Sequence, residues 1–114
     1  MNWNKITDPQ QLSQIKEESA QQPILIFKHS ISCSTSATAL ARLERKWNQE
    51  EVGHLKPYYL DLVRFRPISN AIAEKFEVEH ESPQVLIIQN GKTIYHESHW
   101  GIDYEEIKEI LQTV

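Results

Sequence analysis

A single cysteine stands in the 114 residues, so no disulfide can close within the chain. Basic residues are not in excess. Twelve Lys and Arg against sixteen Asp and Glu give a net charge of −4, which argues against nucleic acid as the main partner, because phosphate binding needs concentrated positive charge. Long apolar runs are missing too. The longest, Ile24 to Phe27 and Val85 to Ile88, fall far short of the roughly 20 residues a membrane-spanning helix needs, so no membrane role is expected. The opening MNWNKITDPQ lacks a basic segment followed by an apolar stretch, so no secretory leader is expected. With one thiol and no leader, the expected compartment is the reducing cytoplasm. No repeat, low-complexity segment or linker interrupts residues 1–114, which read as one domain. At 39% hydrophobic and 25% charged residues the chain reads as globular, and it is long enough to bury a core without metal or disulfide.

What is there alternates between strand and helix signals. Trp3 to Ile6 is a short first strand. Asp8-Pro9 starts a helix, a capping side chain followed by proline at the first helical position, with Leu12 and Ile15 as its apolar stripe. Pro23 opens the strand Ile24 to Phe27, whose unbroken apolar character marks a central strand covered on both faces. Ser34 to Asn48 has helical periodicity, with Ala37, Leu40, Leu43 and Trp47 on one face and Gly53 beyond as a stop. Tyr58 to Leu62 is a third strand. Pro67 opens a helix carrying Ile68, Ile72 and Phe76. Val85 to Ile88 is another buried strand, joined by the Asn90-Gly91 hairpin signal to a returning strand Thr93 to His96. Ile102 to Val114 forms a last helix with Tyr104, Ile107 and Leu111 inward. The order (β)αβαβαββα predicts an α/β, thioredoxin-like fold: a mixed central sheet flanked by helices on both faces.

Cys33 follows the buried strand and opens a helix. There the macrodipole and the free N–H groups of the first turn favour the thiolate, which is the nucleophilic form. The competing reading is a small buried hydrophobe, the common fate of a lone cytosolic cysteine; the strand–Cys–helix context favours the reactive one. Ser36 occupies the position three residues on, where a dithiol reductase has its second cysteine. Serine cannot resolve a disulfide; it is expected to donate a hydrogen bond toward the thiolate, or, with Ser34 and Thr35, to cap the helix. Ser82-Pro83 precedes a buried strand. In thioredoxin-like folds this bond is cis, faces the cysteine and exposes backbone for an incoming peptide or thiol, and a cis X-Pro bond costs only ~1 kcal/mol. Lys28 and His29 either raise the positive potential near Cys33 or are partly exposed strand-end residues. Trp100 stands either beside the site or in the core. The five histidines, His96-x-x-His99 included, form no convincing metal set, and no metal site or bound cofactor is expected.

Phe27-Lys28-His29-Ser30-Ile31-Ser32-Cys33-Ser34-Thr35-Ser36 and His80-Glu81-Ser82-Pro83-Gln84 resemble the active-site and cis-proline segments of the monothiol bacilliredoxins. Asn90-Gly91 and the tail His96 to Ile102 fit the same order and spacing. Ser34 departs from the pattern, where the family usually has proline. The resemblance implies a monothiol thiol-disulfide oxidoreductase whose co-substrate is bacillithiol, a small thiol that some bacteria use in place of glutathione. Cys33 would be its catalytic residue, Ser34, Thr35, Ser36, Ser82 and Pro83 would contact substrate, and bacillithiolated client proteins would be its partners. Two other readings stay open: a thioredoxin-fold iron–sulfur carrier, although the C-G-F-S pattern is absent, and a binding module with an inert Cys33. A peroxiredoxin is longer and uses an arginine with no counterpart here. An arsenate-reductase-type loop needs arginine six residues after the cysteine, where Ala39 stands.

Overall fold

The computed structural model describes residues 1–113; the expected end of the last helix at Val114 lies outside the described residues. Ten main elements follow one another: β1 (Asn4–Lys5), α1 (Gln11–Glu18), β2 (Ile24–His29), α2 (Ser34–Lys46), α3 (Gln49–Val52), β3 (Lys56–Asp61), α4 (Arg66–Lys75), β4 (Gln84–Gln89), β5 (Lys92–Ser98) and α5 (Tyr104–Thr113), with a 3₁₀ turn at His99–Gly101 before α5. The strands form one sheet in the order β1-β3-β2-β4-β5. β1 and β2 run parallel to β3, whereas β4 runs antiparallel to both β2 and β5. This is the expected mixed α/β arrangement.

The strand period of two sorts side chains between two cores. Ile24 and Ile26 of β2 pack with Leu12 and Ile15 of α1 and with Ile68 and Ile72 of α4. Leu25 and Phe27 pack on the other face with Ala39 and Leu43 of α2 and Ile107 of α5. Every residue of β2 is buried, so its last two, Lys28 and His29, carry polar groups into opposite sides of the sheet.

The elements depart from the sequence expectation at their ends. Asp8 and Pro9 sit one turn before α1: the Gln11 and Leu12 amides donate to the Asp8 and Pro9 carbonyls, and Asp8 Oδ1 accepts from the Gln10 amide at 2.8 Å. The helix expected to run to Asn48 stops at Lys46, because Trp47 leaves helical geometry (ψ 127°) and the Asn48 side chain accepts from the Glu50 amide, starting α3. Gly53 ends α3, not α2. Ala37 is exposed rather than inward, and Leu40, Trp47 and Leu111 are half-buried against the core. The Asn90-Gly91 turn forms as expected, with φ of 53° and 76°. It is pinned to the end of α1, where the Asn90 amide donates to the Ser19 carbonyl and the Gly91 amide to Ser19 Oγ, both at 2.8 Å.

Candidate active site

Because β2 and β3 are parallel and β4 is antiparallel, one edge of the sheet gathers four connections. They are the loop from β2 to Cys33, the loop from β3 to α4, the Ser82-Pro83 entry to β4, and the 3₁₀ turn after β5. Cys33 is the N-cap residue of α2, half-buried, with extended backbone (φ −115°, ψ 121°). Its amide donates to the Ser30 carbonyl at 3.1 Å and its carbonyl accepts from the Ala37 amide. The amides of the first helical turn have no intrahelical acceptor. Ser82-Pro83 is cis. Its carbonyl at Pro83 accepts from the His99 amide at 3.1 Å, which ties the cis-proline turn to the 3₁₀ turn. Of the four exposed large apolar side chains among the described residues, Ile31, Val63 and Trp100 lie in these connections. Trp100 is 66% exposed, so it is not a core residue.

Ser36 is brought close to Cys33 in the chain but is turned away from it. It is fully buried. Its Oγ accepts from the Ser30 amide at 3.0 Å and lies 2.7 Å from His29 Nδ1. The hydroxyl thus joins the imidazole to the Ser30 amide, and the tautomer of His29 sets which atom donates in the bond between Oγ and Nδ1. The expected bond to the thiolate is therefore absent among the described residues, where the hydroxyl instead bonds the buried His29 and the Ser30 amide. Nor do Ser34, Thr35 and Ser36 cap α2, which has no side-chain cap. Ser34 is exposed and Thr35 half-buried beside the cysteine.

Lys28 and His29 are not the partly exposed strand-end pair the sequence allowed. Both are buried, since the strand is covered on both faces through its last residue. Burial lowers the pKa of His29, against the opposing pull of Asp61 from β3 and Glu44 from α2. On the other face, burial first and then the charge of Arg66 bring the Lys28 ammonium down to about 8. Lys28 Nζ donates to the Ser69 carbonyl of α4 at 3.2 Å and lies 3.4 Å from His80 Nδ1. Ser69 escaped sequence reasoning, and His80 and Gln84 entered it only as members of the cis-proline segment, without a role toward Lys28; the signal beside them was a lysine directly after four apolar strand residues. His96 ends up on β5 and His99 in the 3₁₀ turn. Among the described residues no three His, Cys, Asp or Glu side chains gather as a metal-holding group.

Residues 4–107 match the family described as monothiol bacilliredoxin BrxC. The chain belongs to this family. A solved structure described as a candidate oxidoreductase with a thioredoxin fold is 28% identical, with a TM-score of 0.79 over 93% of this chain and 90% of that one. The thioredoxins of Malassezia sympodialis and Trypanosoma brucei brucei are 14% and 17% identical. Their TM-scores are 0.72 and 0.71, over 98% of this chain in each case and over 90% and 89% of theirs. These two show the fold alone. The bacilliredoxin family and the thioredoxin fold together give the chain a thiol redox role. Among the described residues no helix is long and apolar enough to cross a membrane.

Proposed function

We propose that the protein is a monothiol thiol-disulfide oxidoreductase that removes bacillithiol from protein mixed disulfides. The observation that carries this is the setting of Cys33: a partly accessible cysteine capping α2, at the same sheet edge as a cis Ser82-Pro83 bond, in a chain with no second cysteine. The Cys33 thiolate attacks the bacillithiol sulfur of a client–S–S–bacillithiol adduct. One S–S bond breaks and another forms, the client leaves as thiolate and takes a proton from solvent, and Cys33 carries bacillithiol; no net oxidation occurs. A second thiol then attacks this adduct and frees Cys33. Ser36 cannot take that part, because an alcohol does not displace sulfur.

The roles follow from position. Backbone at Ser82, ahead of Pro83, pairs with the incoming adduct. Ser34 and Thr35 present their amides and hydroxyls to the sulfur under attack, and Ser36 holds the α2 start against β2. The exposed Ile31, Val63 and Trp100 form the apolar rim on which a client rests. Bacillithiol is a co-substrate and no resident cofactor is invoked. The partners are bacillithiolated proteins and a low-molecular-weight thiol, in a cytoplasm that keeps Cys33 reduced. The test is stoichiometry. Without an external thiol, the reduced protein should release one client thiol per Cys33 and then stop; added small thiol should restore turnover. Release that continues beyond one equivalent without added thiol contradicts the single-cysteine mechanism.

A further inference from the structure

Three consecutive residues ahead of the cis-proline bond are each tied to a different element. The Glu79 carbonyl accepts from Gln84 Nε2 of β4 at 3.0 Å. His80 Nδ1 lies 3.4 Å from Lys28 Nζ of β2 and 3.2 Å from Ser69 Oγ of α4. The Glu81 carboxylate accepts from Ser98 Oγ at the end of β5. Lys28 is the centre of this arrangement. It is fully buried, it also donates to the Ser69 carbonyl, and it has no carboxylate partner among the ion pairs of the described residues. Lys28 and Gln84 are cross-strand partners, so the residue that bears the ammonium pairs with the residue that follows Pro83.

A buried, unpaired ammonium is a costly way to hold a fold. An apolar side chain of similar volume is as good or better for stability. The direction of the Lys28 shift agrees, since the fold disfavours the charged form. We propose that Lys28 and His80 are positioning residues for thiol exchange: the buried ammonium joins α4 to the segment 79–83 and holds the backbone at Ser82-Pro83 ready to receive the incoming mixed disulfide. This rests on the exchange chemistry proposed above.

The bond has a protonation requirement. Lys28 donates, so His80 Nδ1 must offer its lone pair and the ring must be neutral with its proton on Nε2. The charged groups facing the pair are Arg66 of α4, which disfavours charge on both, and Glu81 of the loop, which favours charge on His80. Burial, Lys28 and Arg66 prevail and lower the pKa of His80. The arrangement is therefore complete from below the ordinary histidine range up to about 8, where Lys28 loses its proton.

Two measurements on the full-length protein test this. Histidine-selective NMR on the substrate-free protein should show His80 at neutral pH as the Nε2–H tautomer, and its resonances should move again as pH passes about 8, tracking Lys28. A Nδ1–H tautomer, or no second movement, overturns the proposal. The second measurement is the rate of exchange with a bacillithiolated peptide divided by the rate of iodoacetamide alkylation, which needs the Cys33 thiolate but not the cis-proline backbone. In the wild type this ratio should be level near neutrality and fall at least threefold above about pH 8. In Lys28→Met it should be at least threefold lower at neutral pH and independent of pH. The same variant should melt at an unchanged or higher temperature, which a purely structural lysine would not allow, and Lys28→Arg should restore the neutral-pH ratio. A wild-type ratio flat across pH, or an undiminished ratio in Lys28→Met, overturns the proposal; if a variant does not fold, the wild-type profile decides. Absence of exchange at every pH would instead overturn the function proposed above, while the tautomer would still decide whether the pair is held as described.

Discussion

Ser36 is the residue at which sequence and structure part most usefully. Its place three positions after Cys33 suggested a hydrogen bond to the thiolate, yet its hydroxyl is spent on His29 Nδ1 and the Ser30 amide. It acts as a strut between α2 and β2. Replacing it with alanine strands a buried amide, which costs about 1–3 kcal/mol. Ser36→Ala should therefore lower stability by that amount in chemical denaturation and slow exchange without abolishing it, because Cys33 keeps its place as N-cap. Loss of exchange as complete as in Cys33→Ser, with stability unchanged, would contradict the strut. Cys33 itself was legible from its position between a buried strand and a helix. The partner of Ser36 was not, because a strand-end histidine carries no mark of the side to which it turns until the strand is known to be covered on both faces.

At the scale of elements, periodicity sufficed wherever one face or both faces of a segment are apolar. β2, β4, α4 and the hairpin turn all fall where their patterns put them. The misplaced ends have local causes. Asn48 accepts from the Glu50 amide and starts α3, a short separate helix between the expected end of α2 and Gly53. Asp8 caps a turn ahead of α1 rather than the helix itself. The hairpin offers a direct check. Gly91 has φ of 76°, and a Cβ there would come within 3.1 Å of Lys16 Cε. Gly91→Ala should cost about 1 kcal/mol, because alanine reaches the left-handed region only with strain, with little change in exchange, since the turn lies at the sheet edge opposite Cys33. A loss of exchange in a folded Gly91→Ala would show that this end of the sheet matters to the chemistry.

At the scale of the whole molecule, two histidines lie on opposite faces of one sheet, His29 buried at the end of β2 and His80 half-buried in the loop before β4. His29 and His80 both have folded pKa values below the ordinary 6.5. Their neutral forms are favoured by folding, so the unfolded chain binds more protons as pH falls below that value, and stability is lost in the same direction. The melting temperature should be level near pH 7 and decline as pH falls through 6; a flat profile between pH 7 and 5 would contradict two histidines held neutral by the fold. The topology that places them was legible from the alternation of elements. The polar connections between layers were not, because Lys28 and His80 stand 52 positions apart and no local pattern joins them.

The central claim concerns the whole molecule acting as a carrier of one small thiol, and intact-mass spectrometry of a single turnover tests it most directly. Reduced protein mixed with an equimolar bacillithiolated client, then acid-quenched, should gain the mass of one bacillithiol, localised to Cys33 by peptide mapping, as the client loses the same mass. Cys33→Ser should show neither change. A client that keeps its bacillithiol, or a Cys33 joined to the client instead of to bacillithiol, would contradict the account.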